Sequence, residues 1–133
     1  MKEQKPEDPD GELLLRTLAM PSHVNANGDI FGGWIMSQMD MAAGILAKEV
    51  CGSRTTTVAV DRIVFRHPVA VGDVVCCYGR CLRIGSTSMT IGIQVWVRRL
   101  HTQPTTERYC VTEAVFTFVA INADGNPHKV KRD

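Results

Sequence analysis

The chain has almost no net charge: 15 lysines and arginines stand against 14 aspartates and glutamates in 133 residues. That balance excludes the broad basic footprint with which nucleic-acid-binding domains hold phosphate backbones, and leaves room only for a local patch. No run of about 18 apolar residues occurs, so no membrane-spanning helix is expected. Five cysteines are present, an odd number, and none form a C-x-x-C pair; this argues against structural zinc and redox motifs, and no metal is expected. Cys76, Cys77 and Cys81 lie among Val74, Val75 and Tyr78 and read as small apolar residues kept reduced, which points to the cytoplasm. Residues 1–12 are charged and proline-bearing, unlike a signal peptide, and read as a disordered lead. His23, His67, His101 and His128 share no motif spacing with a serine or cysteine, so a nucleophile triad is not expected.

What the chain does have is one organising stretch. Asn25, Asn27, Gly28 and Asp29 suit tight, non-helical backbone. Gly32 and Gly33 then open an apolar run that reads as a helix to about Val50. Ile35, Met39, Ala42, Ala43, Leu46 and Val50 share one face, and Trp34, Met36, Met41, Ile45 and Ala47 extend apolar character round most of the rest. Such a helix is expected to be buried in the middle of its domain or of an assembly. One narrow stripe differs: Gly33, Ser37, Asp40, Gly44 and Lys48, spaced by three or four. It places a carboxylate about two turns into a buried helix, where carboxylates are rare without a partner or a task. Free N–H groups at the helix start attract negative charge.

The remaining signals are strands: residues 13–20 before the loop, then 55–65, 74–83, 89–97 and 108–121. The alternation of Met89, Ile91, Ile93, Val95 and Val97 with polar or small neighbours is the clearest. Gly52 reads as the helix C-terminal cap, Gly85-Ser86-Thr87-Ser88 as a tight connection, residues 100–106 as a loop, and the basic end as frayed. Hairpin-length links favour an antiparallel sheet. The expected fold is α+β, one antiparallel sheet wrapped round one long central helix, spanning residues 13–121, with a disordered lead (1–12) and a short basic tail (122–133). The polar stripe would need a second surface, most simply another copy of the chain.

At this point a resemblance enters. Arg16-Thr17-Leu18-Ala19-Met20-Pro21-Ser22, the stretch from Asn25 to Trp34, Met39-Asp40, Phe65, Pro68, Val71-Gly72-Asp73-Val74, Gly85-Ser86-Thr87-Ser88 and Val95-Trp96-Val97 resemble hotdog-fold acyl-CoA thioesterases, the bacterial YciA-like type in particular. The resemblance implies hydrolysis of acyl-CoA to a carboxylic acid and CoA, with no cofactor, since CoA belongs to the substrate. It also implies active sites between two subunits, with the dimer as catalytic unit in a homohexamer, a trimer of dimers. An asparagine in the pre-helix loop and an aspartate in the helix, one from each unit, fall on Asn25 and Asp40.

On that reading Asp40 is general base or nucleophile, Asn25 holds water or the substrate carbonyl, and the Gly33 N–H binds the thioester oxygen. Gly32 lets the substrate approach, Trp34, with Met36 and Met39, narrows or lines the acyl tunnel, and Ser37 and Gly44 contact either the acyl group or only the partner helix. Asp29 serves the helix N-terminus, and Asp61 borders the cleft or pairs with an arginine. Arg83 and Arg98 join Gly85, Ser86, Thr87 and Ser88 as a site for CoA phosphates; on the bland reading Arg83, Arg98 and Arg99 are ordinary exposed strand arginines. Alternatives are a hydratase or dehydratase on acyl thioesters, for which only His23 precedes the helix, and a non-catalytic acyl-CoA sensor.

Overall fold

The computed structural model describes residues 8–99 and 107–130. In chain order it contains β1 (Glu12–Leu18), a 3-10 turn (Pro21–His23), α1 (Gly32–Cys51), β2 (Arg54–Phe65), β3 (Val74–Ile84), β4 (Ser88–Arg98) and β5 (Tyr109–Ile121). The strands form one five-stranded sheet in the order β1-β3-β4-β5-β2, and all its pairings are antiparallel. α1 lies across one face, so the expected sheet and long helix are present. Among the described residues, no helix is long and apolar enough to cross a membrane.

The alternation in β4 is realised side chain by side chain. Met89, Ile91, Ile93, Val95 and Val97 are buried in the core beneath the helix, while Thr90, Gly92 and Gln94 are half-buried on the outer face. The helix contributes Ile35, Met39, Ala42, Ala43, Leu46 and Ala47 to the same core. Its end is the expected glycine cap: Gly52 adopts φ 69° and donates its N–H to Lys48 O at 2.8 Å. A side chain there would be strained in the left-handed region.

The protomer's own sheet does not cover the whole helix: Met41 and Ile45 remain 51% and 41% exposed, and Lys48 and Glu49 are exposed too, which leaves the assembly half of the expectation. An apolar run records that a face is covered, but not whether the cover is the chain's own sheet or another copy. Three other expectations need correction. The first strand starts at Glu12 and ends at Leu18, since Pro21 cannot donate to a ladder and opens the 3-10 turn. The lead is not free over its last residues: Asp10 takes Gln94 Oε1 on its backbone N–H and pairs its carboxylate with Arg80 at 3.0 Å. Residues 1–7 lie outside the described residues, as do 100–106, the expected loop.

The tail is not frayed through residue 130. After a turn closed by Asn122, whose side-chain oxygen accepts the N–H groups of Asp124 and Asn126, the chain folds back. His128 N donates to Ala120 O and Val130 N to Ser86 O. Val130 is 6% exposed and belongs to the core, a burial that stabilises by about 1.5 kcal/mol.

The Val-Gly-Asp sequence serves the fold. Gly72, at φ 90°, turns the chain into β3. Asp73 is fully buried, accepts the Ala70 N–H at 2.9 Å and takes a two-pronged contact from Arg99 at 3.2 and 3.3 Å. Arg99 is therefore no ordinary exposed arginine, and the hydrogen bond to Asp73 raises its pKa further above the usual guanidinium value.

The buried thiols make alkaline stability testable. Burial, with Cys76 beside it, pushes the Cys77 thiol up to about 12. Burial, with Glu113 nearby, likewise pushes Cys110 up to about 12, against the smaller opposing effects of the Thr112 backbone and Arg66. A thiol whose folded value is raised keeps its full contribution below the unfolded value of about 9 and loses it as pH climbs towards 12, because the unfolded chain releases the proton first. The expected result is a melting temperature that falls steadily above pH 9, with both thiols unreactive to a thiol reagent until the chain unfolds. Fast labelling of either in the native protein at pH 8 would contradict it.

Candidate active site

The pre-helix loop is a small closed unit. Val24 and Ile30 bridge, and the Phe31 N–H donates to His23 O at 2.8 Å. Within it Asn25 donates its N–H to Asp29 O at 2.7 Å, and its side-chain oxygen accepts the N–H groups of Asn27 at 2.8 Å and Asp29 at 3.1 Å. Two backbone donors require an oxygen, so the orientation of the amide follows from the loop. Asn25 thus shapes the turn, as asparagine commonly does. Its Nδ2 group has no acceptor among the described residues and is the part able to serve a ligand.

The helix start is bare. Its N-cap, Phe31, offers no side-chain hydrogen bond, and the first turn holds no acidic residue. Asp29 therefore makes no capping bond, contrary to expectation; the loop instead uses its backbone. Helical bonding begins at Trp34 N and Ile35 N, which both reach Phe31 O. The N–H groups of Gly32 and Gly33 have no acceptor among the described residues. A Cβ at Gly33 would meet nothing within 4 Å, whereas one at Gly32 would touch the Phe65 ring at 3.5 Å. Two unsatisfied donors at the positive end of a helix dipole favour an oxygen that gains charge.

A cleft of about 300 Å³ opens beside this helix start, walled by Asn25, Ile30, Gly32, Ile35, Phe65 and Pro68. Through His67 and Pro68 it adjoins a second chamber of about 360 Å³ bounded by Arg99 and Tyr109. The His67 ring meets the Tyr109 ring edge-on at 5.3 Å, and the Arg99 guanidinium lies 5.7 Å from the Tyr109 ring centre. Partial burial raises the Tyr109 pKa above the usual phenol value, with Arg99 opposing and Asp73 adding to the rise.

Asp40 is exposed rather than buried in the protomer. It nevertheless has a partner: Thr57 Oγ1 on β2 donates to Asp40 Oδ1 at 2.5 Å. Asp40 lies on the open side of the helix, about 10 Å along the axis from Gly33, and takes no part in the cleft that Asn25 lines. One chain therefore brings Asn25 and Gly32 together but not Asn25 and Asp40.

The other expected site residues divide. Ser37 Oγ donates to Trp34 O at 2.6 Å, and Trp34 stacks on His23 at 4.9 Å. Asp61 is exposed with no arginine partner among the described residues, at an irregularity of β2 just before Arg62, whose φ is 55°. Gly85, Ser86, Thr87 and Ser88 form the β3–β4 turn, with Gly85 N donating to Ser88 O. The expected cluster with both arginines does not form. Arg83 stands beside that turn, but Arg98 pairs with Val74 at the opposite end of β4, about 33 Å along the strand.

Sequence reasoning missed Thr57, His67 and Tyr109, and gave Arg99 no task. Thr57 sits in a run of three threonines, and only its register opposite Phe118, on the helix-facing side, singles it out. A hydroxyl on the core side of a half-buried strand is the signal that was there to be read.

Comparison with known proteins identifies the family. A profile of the Thioesterase superfamily matches residues 27–102. An acyl-CoA thioester hydrolase YciA of Salmonella typhimurium is 58% identical over 119 residues, covering 90% of each chain. An uncharacterized acyl-CoA thioester hydrolase of Haemophilus influenzae is 59% identical over 92% of this chain and 80% of its own. Among solved structures, HI0827, a hexameric broad specificity acyl-coenzyme A thioesterase, superposes with a TM-score of 0.89 at 57% identity, over 96% of this chain and 86% of its own. The hexameric thioesterase y2039 of Yersinia pestis does so with a TM-score of 0.89 at 56% identity, over 93% and 99%. By the matched profile, the closely similar YciA sequences and the shared five-stranded sheet with its single long helix, the chain belongs to the thioesterase superfamily.

Proposed function

We propose that the protein hydrolyses acyl-CoA to a free carboxylic acid and CoA, in a site shared by two chains. The observation that carries this reading is that each chain presents unsatisfied Gly32 and Gly33 N–H groups at its cleft and, apart from that cleft, an exposed Asp40 carboxylate held by Thr57 for a second chain's site. The thioester oxygen accepts the Gly33 N–H, which stabilises the charge it gains as the carbonyl carbon becomes tetrahedral. Asp40 either removes a proton from the attacking water or attacks the carbonyl carbon itself. On the first path hydroxide bonds to the carbon, the carbon–sulfur bond breaks, and the CoA sulfur leaves and is protonated. On the second, the Asp40 carboxylate bonds to the carbon, the carbon–sulfur bond breaks and CoA leaves as a thiolate that is protonated, and water then cleaves the resulting anhydride to release the acid and restore the carboxylate.

A second chain supplies the missing wall. Exposed Met41 and Ile45 flank Asp40, and covering them brings a partner's loop, with its Asn25, towards that carboxylate. The hexameric relatives support a trimer of such dimers. The five unpaired cysteines, four of them buried, suit a cytoplasmic protein. A hydratase is the weaker reading, because the loop's one histidine has its ring stacked against Trp34 and its Nδ1 buried.

The direct test follows free thiol release from a panel of acyl-CoA substrates, short to long and aromatic. Hydration of an enoyl-CoA without thiol release would replace this reading with the hydratase one. A finer expectation concerns Thr57. Thr57→Val keeps the shape of the side chain but removes the hydroxyl that orients Asp40, and a drop in kcat of about tenfold with little change in KM is expected. An unchanged kcat would make the hydrogen bond incidental.

A further inference from the structure

One wall of the cleft beside the helix start is a single segment. Phe65, Arg66, His67, Pro68 and Val69 all line it, and they lie where β2 ends. Two contacts make the placement of this segment matter. The Phe65 ring stands beside Gly32, close enough that a Cβ on the glycine would meet it at 3.5 Å. Val69 O accepts the Ile30 N–H at 2.9 Å, and Ile30 bridges Val24, so the same segment holds the loop that carries Asn25. Residues 65–69 therefore set the width of the cleft where the thioester would meet the start of α1.

One side chain ties the segment to the outer face of the sheet. Arg66 N donates to Val111 O at 2.7 Å. Its side chain is only 9% exposed, and the guanidinium donates through Nε, at 3.1 Å, and Nη2 to Glu113 Oε2. Glu113 is itself held, because Gln94 Nε2 donates to its Oε1 at 3.0 Å. Gln94 Oε1 in turn accepts Trp96 Nε1 and the Asp10 N–H, both at 2.9 Å. Two donors on that oxygen fix the amide with its NH2 group towards Glu113. The bonds thus run from Asp10 in the lead, across β4 and β5, to the wall of the cleft. A two-pronged guanidinium on a carboxylate that is itself bonded has little freedom to move. An exposed surface pair would contribute little, but this one fixes a wall beside the reacting groups, where a shift of about 1 Å can be costly. We infer that Arg66 is a positioning residue for the hydrolysis: its pair with Glu113 fixes residues 65–69, and through them the Phe65 ring and the Asn25 loop, against the start of α1. The inference rests on the acyl-CoA reading above.

The test compares wild type with Arg66→Ala, Glu113→Ala, the double variant and Arg66→Lys. The first measurement is steady-state thiol release from an acyl-CoA. Each alanine change is expected to lower kcat about tenfold while KM stays within about twofold, since misalignment affects the bond-making step more than ground-state binding. The double variant should lose no more than either single, because the two residues act as a unit. Arg66→Lys keeps the charge without the fork and should fall in between. The second measurement is amide hydrogen exchange, read by mass spectrometry over the peptide that carries Ile30. Exchange there should be about tenfold faster in the alanine variants, with the β3–β4 ladder unchanged. A rise in KM alone would make Arg66 a substrate contact, and losses that multiply in the double variant would make the two residues independent. Exchange that rises equally in the β3–β4 ladder would show general loosening of the fold. Each of these, or unchanged kcat and exchange, overturns the inference. Should Glu113→Ala melt early because it strands the guanidinium, the double variant, which removes both charges, still decides. If wild type releases no thiol, the thioesterase reading fails, and exchange at Ile30 still reads the anchor: equal rates in wild type and double variant overturn it.

Discussion

Replacing Asp40 with asparagine is expected to lower kcat by about 10²–10⁴-fold, the usual loss when a general base is removed, while the fold and CoA binding persist. Asp40 is exposed in the protomer and, among the described residues, is bonded only through Thr57 Oγ1. Asparagine can still accept that hydrogen bond, so no buried group is orphaned and no cavity forms. A carboxylate acting as nucleophile predicts at least as large a loss, because the amide cannot form the anhydride. The measurements are initial rates of thiol release, melting temperature and CoA affinity on the same preparation. Activity close to wild type in the folded variant would move the chemistry to another carboxylate, with Asp29 first in line because it sits at the cleft.

The second large effect is expected from mixing. Asn25→Ala and Asp40→Ala proteins should each be nearly inactive, since every site loses one of its two contributors. Unfolded and refolded together, half of the dimers are mixed. In a mixed dimer one site carries both substitutions and the other carries neither, so recovery reaches about a quarter of wild-type activity if the chains assort statistically and act independently. The geometry motivates this, because one chain lines the cleft with Asn25 while Asp40, exposed and held by Thr57, takes no part in that cleft. Verified mixed dimers with no recovery would show that both residues act within one chain or not at all. Asn25→Ala also removes the oxygen that organises the loop, so Asn25→Asp, which keeps that oxygen and removes the Nδ2 donor, separates a folding defect from a catalytic one.

Much of the fold was legible because its signals are local. The alternation in β4, the glycine that ends α1 and the polar loop before it each follow from residues a few positions apart. The strand order was not, since β1-β3-β4-β5-β2 depends on pairings between distant segments that period-two patterns do not rank. Apolar Met41 and Ile45 leave the cover of the helix open between its own domain and an assembly, because composition does not distinguish burial against one's own sheet from burial against a neighbour. Arg83 and Arg98 group in sequence because CoA phosphates call for a basic cluster near the Gly85–Ser88 turn; antiparallel pairing sends them to opposite ends of the sheet. Val130 escaped notice as one valine in a basic tail, and its docking against Ser86 comes from the fold-back at Asn122.

Gly33 has a consequence for protein engineering. Nothing within the protomer opposes a side chain there, and alanine favours helix over glycine by up to about 1 kcal/mol. Any procedure that scores the single chain for thermal stability will therefore recommend Gly33→Ala, and the substituted chain should fold well. On the proposed mechanism, the methyl group would then stand where the thioester oxygen approaches the helix. A library selected only for solubility or heat resistance would drift towards inactive sequences at this position, so position 33 should be held fixed in any stabilisation campaign.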